Sequence, residues 1–276
     1  MFLEVNGNCI YYVIHGNGIP IITLHGHGVD HNIMKGFIEK FICNDAYKRI
    51  YFDLPGFGKS KITRKIKNAD KMYKTIKHFI EEIIGNEKYI LIGLSYGGYL
   101  LRKLIKDDPD KILGAMFVCP FITKTVEEHD ALPKHKIMHN EIIDKDIIES
   151  DVYKEFAEIA VFATMESLKA FEENIYSGIK ICDKEFSETY YKNGYKFSEN
   201  IDNIENPFSK PVLFVMGRQD HWVFYKDLDI IIQNYPRASI CVIDEGGHNV
   251  EYEKPEMVEV FALDWLAQIE RNKKTV

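Results

Sequence analysis

A serine stands among glycines in Gly93-Leu-Ser95-Tyr-Gly97-Gly98, where the apolar run Ile90-Leu-Ile gives way to residues at helical spacing. Two uses fit it: capping the helix that follows, or presenting a hydroxyl as a nucleophile. Glycines at 93 and 97 remove side chains where a sharp strand-to-helix turn presses the two elements together. The helix N-terminus adds backbone N–H groups and partial positive charge beside the hydroxyl. The nucleophile reading is favoured, and it demands a base and an orienting acid, because serine at its ordinary pKa attacks poorly.

Ten histidines are available, and His248 lies in Glu245-Gly-Gly-His-Asn, after the last apolar run and before the final helix. That loop leaves a strand's C-terminal end, the edge where Ser95 also sits and where ligands gather in open α/β sheets. His248 is therefore the expected base. Asp220, carried past the strand VLFVMG, reaches the same edge and is the expected acid. Capping the following helix is a second use for it. The rival position after ILGAMFVCP offers Cys119, Pro120 and Phe121 and no carboxylate, whereas Asp244 and Glu245 stay open as alternatives close to His248. A tetrahedral intermediate also needs donors for its oxygen. The backbone N–H groups of Tyr96 and of His27, in His25-Gly-His-Gly28, are placed to supply them. The other readings of that loop are a bare turn or a metal pair; no third ligand at a recognisable spacing supports metal, and no metal or cofactor is expected.

These residues need a scaffold. FLEV, Asn6-Gly7 and CIYYVIHG read as a hairpin about a type I′ turn. Strands follow at IPIITL, RIYF, 89–94, ILGAMFVCP, PVLFVMG and SICVID, separated by a helix over 71–84 ending at Gly85 and another carrying Leu100, Leu101, Leu104 and Ile105. The last helix begins near Pro255 and is expected to bury Val258, Phe261, Trp265 and Ile269. Continuous apolar strands alternating with helices give an α/β fold, a mostly parallel sheet covered on both faces. Between 121 and 206 that rhythm stops. The stretch is charged, rich in Tyr and Phe, and weakly helical, so it reads as a helical cap inserted after the sixth strand, over a core made of 1–120 and 207–276. A small second domain beside the core is the alternative.

The chain has 276 residues, 46% of them hydrophobic, enough for a large core. A net charge of −7 argues against nucleic acid or an anionic membrane as the main partner. A small-molecule substrate and a monomer or homodimer are expected. The N-terminus does not look like a signal peptide and no apolar run reaches membrane-spanning length. The five cysteines, at 9, 43, 119, 182 and 241, form no CxxC pair. Cys119 and Cys241 read as small core residues, and a cytoplasmic protein with reduced thiols is expected.

Taken together, His25-Gly-His-Gly28, Asp53-Leu-Pro-Gly-Phe-Gly-Lys-Ser60, Gly93-Leu-Ser95-Tyr-Gly97, Asp220 and Gly247-His248 resemble the α/β-hydrolase superfamily, with the triad in the order Ser, Asp, His. The likeness covers about 1–120 and 207–276 and is similar to the capped esterase and proline-iminopeptidase branch. It implies that Asp53 shapes a turn, and serine at the nucleophile position sets the chain apart from aspartate-nucleophile dehalogenases and epoxide hydrolases. The expectation is a cofactor-independent serine hydrolase cleaving a carboxylic ester or related acyl bond through an acyl-enzyme. The alternatives are carbon–carbon bond hydrolysis, aminopeptidase, lyase or perhydrolase chemistry, or ligand binding without turnover. In the cap, Phe156, Phe162, Phe171, Tyr176, Tyr190, Tyr191 and Tyr195 could line a pocket or pack the cap down. His135 and His139 share a helical face and could ligate metal, but with no third partner a solvated lid surface is the favoured reading. Glu155, Glu158, Glu172 and Glu173 are candidates to hold a substrate amine.

Overall fold

The computed structural model describes residues 1–42, 45–62 and 66–273; Cys43 lies outside them. Strands β1 (Phe2–Val5) and β2 (Asn8–His15) form the hairpin, with Asn6 and Gly7 both at positive φ as a type I′ turn requires. Then come β3 (Ile19–Leu24), α1 (Asn32–Ile38), β4 (Tyr47–Phe52), α2 (Ala69–Ile84), β5 (Tyr89–Leu94), α3 (Tyr96–Asp107) and β6 (Ile112–Val118). The Asn68 side chain caps α2 by accepting from the Lys71 N–H, and Gly85 ends it at φ 59°.

After β6 the chain leaves the sheet. It runs through β7 (His139–Asn140), α4 (Lys145–Ile148), α5 (Asp151–Ala157), β8 (Phe162–Ala163) and α6 (Met165–Phe171), then a π-helical turn into α7 (Ser177–Ile181), and α8 (Lys184–Gly194). It returns with β9 (Val212–Gly217), α9 (Leu228–Ile231), β10 (Ala238–Ile243), α10 (Val250–Glu253) and α11 (Pro255–Lys273). The β7–β8 pair is a two-residue parallel ribbon, where no strand was expected. His135 and His139 do not share a helix: His139 sits in β7, because the helical spacing there is not backed by a buried face.

The main sheet has eight strands in the order β1-β2-β4-β3-β5-β6-β9-β10. β1–β2 and β2–β4 are antiparallel; every pair from β4 to β10 is parallel. β3, β5, β6 and β9 are almost wholly buried, which is why they read as unbroken apolar runs. On one face α2 and α3 contribute Met72, Ile76, Phe79, Leu101 and Leu104. On the other, α1 and α11 contribute Phe37, Val258, Ala262, Trp265 and Ile269. Gly114 leaves room for Ile269, whose Cδ1 lies 2.5 Å from where a Cβ would stand. Phe261 is not in that face: it is 38% exposed while Ala262 is buried. The stripe runs 258, 262, 265, 266, 269, and Phe261 falls beside it on the 3.6-residue pitch. Among the described residues no helix is long and apolar enough to cross a membrane, and Cys9, Cys119, Cys182 and Cys241 form no disulfide.

Candidate active site

Ser95 joins β5 directly to α3, at φ 50° and ψ −118°. A non-glycine residue here stores on the order of 1–3 kcal/mol of backbone strain, which the surroundings must hold in place. They do so by crowding. A Cβ on Gly97 would lie 2.2 Å from the Leu24 carbonyl oxygen, and one on Gly93 2.5 Å from Leu101 Cδ1. The Ser95 N–H donates to the Val118 carbonyl (2.9 Å), and its own carbonyl accepts from Tyr99 and Phe121. Its side chain makes no capping hydrogen bond, so capping does not account for the serine. Gly26 completes the seat, since a Cβ there would stand 3.3 Å from Ser95 Cβ.

The strand ends bring the other two groups to this edge. Asp220 follows β9, is 1% exposed, and its Oδ2 lies 2.8 Å from His248 Nδ1. Its Oδ1 accepts from the Trp222 and Val223 N–H groups, so the carboxylate fixes its own turn and the imidazole together. His248 follows β10 and is 5% exposed, with the Trp222 ring 5.1 Å from its own. Asp244 instead accepts from Gln219, and Glu245 pairs with Lys254. The backbone N–H groups of His27 and Tyr96 form no hydrogen bond among the described residues. Ser95, His248 and His27 line one cavity of about 440 Å³, within the range of small-molecule sites.

Apolar side chains from the stretch between β6 and β9 close that cavity: Ile159, Phe171, Ile175 and Ile179, facing Val29 and Ile33 of the core. Of the seven aromatic candidates, Phe171, Tyr191 and Tyr195 line it, whereas Phe156 and Tyr190 are packed and Phe162 stacks on His139. Glu155 and Glu158 line it, with Glu127 and Thr125; Glu172 and Glu173 do not.

Four features of this region escaped the sequence reading. Cys119, at φ 39°, places its thiol beneath Asp220 and His248, accepting from the Gly217 N–H and facing the Gly247 carbonyl; burial pushes that thiol up. Glu253 accepts from Gly247, in the His248 loop, and from the Val161 and Phe162 N–H groups, between β6 and β9. Burial pushes its carboxyl up to about 7. Glu251 is buried with neither oxygen partnered among the described residues, and burial takes it to about 8. His221, beside Asp220, packs its ring 4.5 Å from His135. Glu251 and Glu253 could not be singled out in a stretch as polar as Asp244–Glu256, Cys119 reads in its apolar run only as a core residue, and nothing in the sequence pairs His221 with His135.

Among the described residues, two clusters bring three donor atoms close enough for one ion, Cys119-Asp220-His248 and Asp30-His31-Asp53. In both, the atoms already serve each other or the backbone. Asp53 Oδ1 accepts from the His31 N–H (2.8 Å) and contacts His31 Nδ1 (2.7 Å), and Oδ2 accepts from the Lys59 N–H (2.7 Å). That is the turn-shaping role the motif implied for Asp53.

A family model described as serine aminopeptidase, S33, matches residues 20–255. Monoacylglycerol lipase ABHD6 of Bos taurus is 21% identical over 266 residues, covering 92% of this chain and 77% of that protein. Pimeloyl-acyl-carrier-protein methyl ester esterase of Legionella pneumophila (strain Paris) is 22% identical, over 85% of this chain and 89% of that one. The crystal structure of an α/β superfamily hydrolase from Oenococcus oeni PSU-1 superposes with a TM-score of 0.87 at 28% identity, covering 98% and 99% of the two chains. A thermophilic esterase from Thermogutta terrifontis shares the fold at a TM-score of 0.64 and 19% identity. With the family match running through the whole parallel sheet and the elbow at its centre, the chain belongs to the serine aminopeptidase S33 family of α/β-hydrolase-fold proteins, and it is an esterase-like serine hydrolase.

Proposed function

We propose that the protein hydrolyses small acyl esters through Ser95, His248 and Asp220. Ser95 Oγ attacks the carbonyl carbon while His248 Nε2 takes its proton and then returns it to the leaving alcohol. Asp220 holds the imidazole with Nδ1–H toward its carboxylate and stabilises the imidazolium that forms. The His27 and Tyr96 N–H groups receive the tetrahedral oxyanion. Water then enters, loses a proton to His248, and releases the acid from Ser95. One observation carries this reading: a strained, uncapped serine opens into the same cavity as a buried histidine already paired to a buried aspartate. Ser95 Oγ makes no capping hydrogen bond and shares the cavity with His248, and contacts between nucleophile and base tighten as substrate engages.

Residues 121–206 would act as the cap that roofs the site and selects the substrate. The wall of Ile159, Phe171, Ile175 and Ile179 suits an aliphatic acyl chain, in keeping with the lipase and methyl ester esterase among the relatives. Aminopeptidase action is the second reading, favoured by Glu127, Glu155 and Glu158 on the same cavity and by the family description. A parallel screen of p-nitrophenyl esters and amino-acid anilides separates the two. Ser95→Ala should lower turnover of the preferred substrate by about 10⁴-fold or more and abolish the mass gain from a fluorophosphonate. Turnover that survives the substitution would rule the triad out.

A further inference from the structure

We propose that α8 is a clamp on the oxyanion donors: Ser187 and Tyr190 are positioning residues that hold the His27 and Tyr96 side chains, and through them the two backbone N–H groups. The proposal rests on the ester-cleaving reading of Ser95. His27 belongs to the loop after β3 and Tyr96 to the first turn of α3. The paired strands β3 and β5 set the two backbones side by side, and the rings meet edge to face with centroids 6.2 Å apart. The two side chains hydrogen-bond to α8, however, rather than to each other. A single face of α8 meets both. Ser187 Oγ lies 2.7 Å from His27 Nε2, and Tyr190 OH lies 2.6 Å from Tyr96 OH. Residues three apart share a helix face, so the two contacts come from one rigid element.

Ring packing reinforces them. Tyr190 stacks on His27 at 16° between planes, and Tyr195 stacks on Tyr96 with centroids 4.1 Å apart. The other nitrogen of His27, Nδ1, is buried without a partner among the described residues, so Ser187 supplies the ring's side-chain hydrogen bond while Phe57, Tyr191 and Tyr195 pack around it. Burial lowers that imidazole to about 4, so the ring is neutral at working pH and offers an anion no charge; its contribution is position. α8 is itself seated on the core. Gly194 lies against the Lys67 carbonyl, 2.1 Å from where a Cβ would stand, and Phe186 fills the space over Gly56.

Position matters because an oxyanion donor works only within about 2.7–3.1 Å of the developing charge, and losing one costs about 10²–10³ in kcat. A donor loosened rather than lost should cost less. The test uses the whole chain carrying Ser187→Ala, Tyr190→Phe or both, each removing only a hydroxyl. Tyr96→Phe/Tyr190→Phe is added because it removes the hydroxyl pair without stranding one partner.

The expected result for each single variant is about a tenfold loss of kcat on a p-nitrophenyl ester with KM held within about twofold. The rate of Ser95 labelling by a fluorophosphonate and the affinity for an alkyl boronic acid, whose adduct carries a tetrahedral oxyanion, should fall in parallel. Ser187→Thr should restore all three. Raised KM with unchanged kcat and boronate affinity would make α8 a plain wall and overturn the clamp, as would no change at all. Failure of the underlying reading is separately visible: Ser95→Ala would then keep turning over, or the fluorophosphonate would label another residue.

Discussion

Asp220 carries two duties on one carboxylate, and they can be separated. Oδ2 meets His248 Nδ1 while Oδ1 accepts two backbone N–H groups. Asn at 220 can keep the amide oxygen on the backbone pair, but its NH₂ then faces Nδ1 and forces the proton onto Nε2. An imidazole in that tautomer cannot accept from Ser95. Asp220→Asn should therefore lose about 10⁴ in kcat with little change in thermal midpoint. Asp220→Ala should lose activity similarly and also about 1–2 kcal/mol of stability, because two buried donors are left unpaired. Steady-state kinetics with thermal melts of both variants decide it: equal stability loss would mean that the backbone contacts contribute nothing.

At the scale of elements, the elbow between β5 and α3 is held by exclusion, and glycine positions measure it. Gly97→Ala puts a methyl group into the Leu24 backbone, whereas Gly85 has open space and only its φ of 59° to oppose a side chain. Alanine at 85 should cost about 1–2 kcal/mol. Alanine at 97 should cost clearly more and should also move Ser95, so that activity falls in the protein that still folds. Urea unfolding of the two variants would contradict this account if they proved equally stable. The same elements explain what could be read beforehand. A strand buried on both faces must be apolar throughout, so β3, β5, β6 and β9 announce themselves, and the glycines at 93 and 97 mark the turn that Ser95 needs. The loops carrying Asp220 and His248 follow by strand order alone. Phe261 reads as a core residue, although it is exposed, because one residue of phase on a long helix looks equally periodic in sequence. Between 121 and 206 the helices are mostly four to seven residues long, too short for a repeating face to emerge. Ser187 and Tyr190 gain their meaning only from what α8 is laid against.

The whole molecule adds a constraint that no single element shows: burial of acid groups between layers makes stability depend on pH. Glu253 spans from the His248 loop to the backbone at 161 and 162, and two residues earlier Glu251 is buried with neither oxygen partnered among the described residues. Burial raises both above the ordinary carboxyl range, to about 7 and about 8. A group whose pKa is higher folded than unfolded binds more protons in the native state, so the stability it allows falls as pH rises. For Glu251 that loss begins above the unfolded carboxyl range, near 4.3, and is complete only past about 8. The thermal midpoint of the wild-type protein should thus decline from pH 6 to pH 9. Glu251→Gln, uncharged at every pH, should match wild type near pH 5 and exceed it at pH 9 by several degrees, taking about 2–4 °C for each kcal/mol in a chain of this size. A parallel decline in the variant would place the pH dependence elsewhere, with Glu253 the next carboxyl to replace.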